Sequence, residues 1–93
     1  MRVTIKDLEE AIMYLNRVAG LPITAATWDE ETQHARWNVG SYYLDIANGG
    51  YKLTRIYDQA GALIDVLGTG FVSKRELLTA IKAYAIGLNT ATD

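Results

Sequence analysis

Tyr42-Tyr43-Leu44-Asp45-Ile46-Ala47-Asn48-Gly49-Gly50-Tyr51-Lys52-Leu53-Thr54-Arg55-Ile56-Tyr57 decides the fold of this chain. On its first arm Tyr42, Leu44 and Ile46 alternate with Tyr43, Asp45 and Ala47. On its second, Tyr51, Leu53, Arg55 and Tyr57 alternate with Lys52, Thr54 and Ile56. A period of two sends successive side chains to opposite faces of a strand. Asn48-Gly49-Gly50 supplies the residues that tolerate the positive φ of a tight turn. The stretch reads as two antiparallel strands with an apolar face, and Arg55, the exception on that face, is expected at the sheet margin with its head in water.

The same period extends both ways. Ala35, Trp37 and Val39 alternate with His34, Arg36 and Asn38, and Gly40-Ser41 fits a two-residue type II′ turn into Tyr42. That turn would set Val39 opposite Tyr42, Trp37 opposite Leu44 and Ala35 opposite Ile46. Downstream, Asp58-Gln59-Ala60-Gly61 forms a third turn, and Ala62, Ile64 and Val66 alternate with Leu63, Asp65 and Leu67. One face gathers the apolar residues, with Trp37, Tyr42, Tyr51 and Tyr57 in the core or at its margin. The other gathers His34, Arg36, Asn38, Tyr43, Asp45, Lys52, Thr54 and Asp65, the pattern of an antiparallel sheet covered on one side.

Helices close both ends. Thr4 caps a helix from Ile5 to Ala19, with Asp7 returning the bond and Ile5, Leu8, Ile12, Leu15 and Ala19 forming one stripe. Gly20 and then Pro22 stop it. The span from Leu21 to Gln33, with its threonines and Asp29-Glu30-Glu31, reads as an irregular surface connection anchored by Trp28. After Gly68-Thr69-Gly70-Phe71-Val72, Ser73-Lys74-Arg75-Glu76 fits a second capping box, with Val72 stapled to Leu77. Leu77, Leu78, Ile81, Tyr84, Ala85 and Leu88 form the inner stripe, Gly87 offers a stop, and 89–93 reads as a frayed tail.

Composition bounds the function. Ninety-three residues, 49% hydrophobic and 22% charged, suit one domain over 1–93. No apolar run has the roughly 18 residues of a membrane span, and residues 1–7 lack a signal peptide's apolar segment. The absence of cysteine fits the cytoplasm and removes thiol chemistry. A net charge of −2, from nine basic and eleven acidic residues, disfavours a general nucleic-acid binder. Classical nucleophilic catalysis would have to run through the single histidine, His34, which reads as a solvated strand residue. Asp29-Glu30-Glu31 lacks the alternating ligands and turn glycine of a calcium loop, so no metal or other cofactor is expected.

Two surfaces carry the remaining candidates. Gly68, Gly70, Ser73, Lys74 and Arg75 combine a curling backbone, a helix N-terminus and two bases, the chemistry of an anion site. Neither the Walker spacing nor the dinucleotide fingerprint is present, and Ser73 and Glu76 already serve as caps. On the polar sheet face, Tyr43, Ile56, Leu63 and Leu67 would form a semi-apolar patch suited to protein contact or self-association. The candidate contact residues are Arg36, Tyr43, Asp45, Lys52 and Ile56.

Two resemblances add expectations. The helix–strands–helix order, with Tyr14-Leu15-Asn16 and Gly68-Thr69-Gly70-Phe71-Val72-Ser73-Lys74-Arg75, resembles a double-stranded-RNA-binding domain. That resemblance implies phosphate contacts by Lys74 and Arg75. Leu78 stands at that family's later basic position, Asp7, Glu9 and Glu10 sit on the first helix, and the Gly40-Ser41 turn is too short to enter a minor groove. Across nearly the whole chain, Leu15-Asn16-Arg17-Val18-Ala19-Gly20, Trp37-Asn38-Val39-Gly40-Ser41-Tyr42-Tyr43-Leu44, Gly49-Gly50-Tyr51-Lys52-Leu53 and Val72-Ser73-Lys74-Arg75-Glu76-Leu77 resemble small uncharacterised proteins of tailed bacteriophages and prophages. This second resemblance implies a cytoplasmic accessory protein in a bacterial host and brings no catalytic residues.

The combined expectation is an α+β domain, α-β-β-β-β-α, with a meander sheet and both helices on one face. Its expected role is non-enzymatic binding to a host or phage protein, with an RNA- or nucleotide-phosphate-binding module as the alternative.

Overall fold

The computed structural model describes residues 2–24 and 26–92, with side-chain surroundings through Leu88. The fold is α+β: helix α1 (Ile5–Val18), strands β1 (Ala26–Asp29), β2 (His34–Trp37), β3 (Tyr42–Ala47), β4 (Gly50–Ile56) and β5 (Leu63–Asp65), then helix α2 (Lys74–Thr92). β3, β4 and β5 form an antiparallel meander in that order, while β1 and β2 form a separate hairpin. The chain extends 45 × 37 × 22 Å, and the short dimension fits one helix layer on one sheet at about 10 Å each.

The deciding stretch forms the two antiparallel strands that its alternation predicts. Tyr42 pairs with Arg55, Leu44 with Leu53 and Ile46 with Tyr51. Asn48 (φ 53°) and Gly49 (φ 74°) make the two-residue turn, both in the left-handed region. Arg55 is exposed near the end of β4, the middle strand, paired with Tyr42 on one side and Ile64 on the other. Its head is held against the protein: its Nε donates to the Gly40 carbonyl at 2.6 Å and its guanidinium sits 5.1 Å from the Tyr42 ring centroid. Beyond the third turn, where Asp58 Oδ1 accepts from the Ala60 and Ala62 amides, Ile64 pairs with Arg55 and the Val66 amide donates to Leu53. A single bridge between Val72 and Tyr51 then returns the chain to β4 before α2 starts.

Both helices cover the face that carries Tyr42 and Leu53. Leu8, Ile12 and Leu15 from α1 meet Leu77, Ile81 and Ala85 from α2 there. Burying each large aliphatic side chain contributes about 1.5–3 kcal/mol. The Tyr42 and Tyr84 rings meet edge to face, 5.8 Å apart at 72°, with their hydroxyls 2.8 Å from each other. At the α1 start, Asp7 Oδ2 accepts from the Thr4 amide at 2.8 Å and Thr4 Oγ1 accepts from the Asp7 amide at 3.2 Å. At the α2 start, Ser73 Oγ accepts from the Glu76 amide and donates to the Glu76 carboxylate.

Several expectations are corrected. The connection before Gln33 contains β1, whose Ala26, Thr27, Trp28 and Asp29 pair with Trp37, Arg36, Ala35 and His34. β2 therefore pairs upstream, and the register through Val39–Tyr42, Trp37–Leu44 and Ala35–Ile46 does not form. Gly40-Ser41 is a bulge: the Gly40 amide donates to the Ile56 carbonyl, and the Ile56 amide donates to the Ser41 carbonyl. Gly40, at φ 95°, supplies the left-handed residue that such a bulge takes.

The aromatic assignments change with the topology. Trp28 is 55% exposed rather than an anchor, and Tyr57 is 63% exposed. Trp37 leaves the main core and lies on Gly61, where an added Cβ would come within 2.8 Å of its ring. Thr54 and Ile56, assigned to the wet face, are buried. α2 passes through Gly87 and its backbone stays helical to Thr92, where a tail was expected; Asp93 lies outside the described residues. Leu88 packs against the core one residue beyond the glycine, which holds the helix past it.

Candidate functional site

The expected anion site is already filled by the protein itself. Asp65 Oδ1 accepts from the Gly68 amide at 3.0 Å, and Asp65 Oδ2 accepts from the Gly70 amide at 2.8 Å. The convergent amides suit a carboxylate, and the carboxylate comes from β5. Ser73 is engaged as the α2 cap, and the Lys74 ammonium lies 5.7 Å from the Tyr51 ring centroid. Arg75 is exposed on the first turn of α2. These five residues adjoin one another, but the loop's donors point at Asp65.

The expected contact residues separate into three places. Arg36 stands on the β1–β2 hairpin, 3.9 Å from Asp29. Ile56 is 1% exposed and has no surface to offer. Tyr43, Asp45 and Lys52 remain together on the outer face of β3 and β4, with Asp45 directly opposite Lys52 and their charged groups 4.0 Å apart. The Lys52 ammonium also lies 4.4 Å from the Phe71 ring centroid. The patch through Leu63 and Leu67 is broken, because Leu67 packs against the core. His34 is exposed on β2.

Tyr43 and Asp45 border a feature that the sequence reading missed. β3 is the outer strand of the meander, with β4 on one side and, among the described residues, no strand on the other. Antiparallel pairing turns alternate residues toward the partner strand and away from it. The two-residue turn makes Ala47 and Gly50 a hydrogen-bonded pair, so Tyr43 and Asp45 face β4 while Tyr42, Leu44 and Ile46 aim their amides and carbonyls outward.

Asn16 occupies the first outward position. Its Oδ1 accepts from the Tyr42 amide at 2.7 Å, and its Nδ2 donates to the Tyr42 carbonyl at 3.1 Å. One side chain thus substitutes for a neighbouring strand at Tyr42 and ties the end of α1 to the sheet. The pairing leaves Leu44 and Ile46 as the open part of the edge. Beside them runs a groove of about 390 Å³ lined by Glu9, Ile12, Met13, Ile23 and the β3 residues. Ile46 is 50% exposed, Ile23 49%, Tyr43 39% and Met13 36%.

A second, larger groove of about 620 Å³ runs between α1 and α2 on their outer side, with Asp7 and Glu10 on one wall and Lys82 on the other. Among the described residues, no group of three or more potential metal ligands converges and no helix is long and apolar enough to cross a membrane. Two signals could have located the β3 site: an asparagine beside the α1 apolar stripe, and an apolar residue on each side of it at Met13 and Ile23. Compared with family models, curated proteins and solved structures, the chain has no match.

Proposed function

We propose that this is a non-enzymatic binding protein that takes a protein partner by adding one of that partner's strands to β3. The observation that carries the reading is the open edge at Leu44 and Ile46, bordered by exposed Met13, Ile23 and Ile46. An unpaired edge offers amides and carbonyls that only an extended backbone satisfies in series. Natural edges are usually blunted by charge, proline or a covering element, and here Ile46 at the edge is apolar and half exposed.

The resemblance to tailed-bacteriophage and prophage proteins supplies the setting: an accessory protein in the bacterial cytoplasm acting on a host or phage protein. The phosphate-binding alternative has less support, because Asp65 fills the loop and puts a negative charge where a phosphate would approach.

The test is a pull-down from host lysate with the full chain and with Ile46→Lys, which leaves the core intact because Ile46 is half exposed. The captured partner is expected to be lost with Ile46→Lys, while wild-type protein in the complex gains amide-exchange protection at Leu44 and Ile46. A complex indifferent to both Ile46→Lys and Met13→Asp, in variants with unchanged circular dichroism, refutes strand addition at this edge.

A further inference from the structure

We propose that the β3 edge selects an extended segment whose three central residues run apolar, basic, apolar, and that Asp45 makes the choice. The inference rests on the strand-addition reading and specifies its ligand.

The edge is short and its length is set. Asn16 closes it at Tyr42, and the Asn48-Gly49 turn closes it beyond Ala47. Leu44 and Ile46 remain, each with one amide and one carbonyl directed outward. A three-residue segment laid alongside, with its outer residues opposite Leu44 and Ile46, engages all four groups.

Facing residues in adjacent strands share a sheet face. The residues opposite Leu44 and Ile46 therefore come down on the helix side, in the groove floored by Ile12, Met13 and Ile23. Those two positions call for apolar side chains. The middle residue faces Asp45 and points to the other side of the sheet, beside exposed Tyr43. Asp45 already has one cation, the Lys52 ammonium at 4.0 Å on its β4 side. Among the described residues no strand lies on its β3-edge side, so a lysine or arginine there completes a charge ladder across three strands. Glu9, the one charged residue lining the groove among the described residues, adds the same sign. Both carboxylates favour a basic segment.

The same geometry argues against a second copy of this chain. Two β3 edges fill all four groups only when Leu44 faces the other copy's Ile46. That register places the two Asp45 side chains directly opposite each other, and like charges so placed repel. Shifting the centre to Leu44 sets Ile46 against Tyr42, whose amide and carbonyl Asn16 already holds.

The test titrates the full chain with two capped pentapeptides, threonine-valine-lysine-valine-threonine and its glutamate counterpart, followed by amide NMR. The lysine peptide is expected to shift Leu44 and Ile46, and the glutamate peptide to bind about tenfold more weakly at low salt. Asp45→Asn is expected to bring the two peptides together in affinity. Equal binding of both peptides to the wild-type edge overturns the charge selection and leaves strand addition standing. Shifts that avoid Leu44 and Ile46, or no binding of either peptide, overturn both. Concentration-dependent dimerisation that broadens the Leu44 and Ile46 amides overturns the exclusion of a second copy.

Discussion

Replacing Asn16 by alanine tests how α1 is fixed to the sheet. Asn16 is 1% exposed, and its amide makes two bonds to the backbone of Tyr42, itself 4% exposed. Alanine removes both partners and leaves a buried amide and a buried carbonyl, each costing about 1–3 kcal/mol. Tyr42 lies beside the groove along β3, so water entering the space recovers part of that cost. The net loss is set at about 3 kcal/mol, a large share of the roughly 5–15 kcal/mol typical of a domain. For a domain of this size it corresponds to a fall of about 12–24 °C in Tm. With an m-value near ~2 kcal/mol/M, the urea midpoint drops by about 1.5 M.

Circular dichroism at 222 nm reads both helices and is the assay to use. A loss below about 1 kcal/mol would mean that the two bonds are replaced by water at no cost, and the clamp would be an accident of packing. Asn16→Asp provides the control. An ionised oxygen would then face the Tyr42 carbonyl, so the carboxyl's folded pKa rises above its unfolded value of about 3.9. The variant's stability is fully present below that value and is lost as pH rises through the folded pKa. It should unfold at higher urea at pH 3 than at pH 7, measured against alanine.

Asp65→Ala releases the amides of Gly68 and Gly70 and is expected to cost about 1–2 kcal/mol by urea unfolding; an unchanged midpoint refutes the bridging role. Burial first, and then the hydrogen bond with Tyr84, push the Tyr42 phenol up to about 12. Its contribution is therefore complete below the unfolded pKa of about 10 and is lost as pH rises toward the folded value. Ultraviolet titration should find one late tyrosine that disappears in Tyr42→Phe, and a late step that survives this change counts against the assignment. The Thr4 amide, and then its hydroxyl, hold Asp7 below its ordinary 3.8. The capping contribution is accordingly full above about 3.9 and lost as pH falls through the folded value. NMR titration of the Asp7 carboxyl at or above 3.8 would contradict the capping box.

What the sequence made legible follows from what it buries. Tyr42, Leu44, Tyr51 and Leu53 set their side chains in or against the helix-covered core, so the alternation around them is strong and their register came through. β1 and β2 have no buried residue between them. The alternation of Ala35 and Trp37 with His34 and Arg36 marked β2 as a strand, but with no covered face it did not fix β2's partner, and the four residues of β1 did not stand out from the connection. Gly40-Ser41 was misread because a type II′ turn and a glycine bulge ask the same thing of Gly40, a positive φ. Which one forms depends on whether β2 finds β1 or β3, a choice made outside the dipeptide. Ile56 was assigned by parity to the wet face, and the chain returning along Gly40-Ser41 meets β4 at that residue. The β3 edge was hidden for a similar reason: an edge is defined by the strand that is missing, and the asparagine that ends it lies 26 residues away in the chain.

Trp37 resting on Gly61, with the Gln59 side chain donating to the Trp37 carbonyl at 3.0 Å, is where the β1–β2 hairpin meets the turn after β4. Both tryptophans of the chain, Trp28 and Trp37, stand on that hairpin and none stands in the helix-covered core. Indole emission therefore reports the release of one appendage, whereas helical ellipticity reports the collapse of the main body. The hairpin has its own ladder and few ties to the rest, so it opens at a lower free energy than β3 and β4. Denaturation followed by the two signals should part into two transitions, the emission change coming first. Gly61→Ala, which pushes on the Trp37 ring and also strains a turn residue at φ 84°, should lower the earlier transition more than the later one.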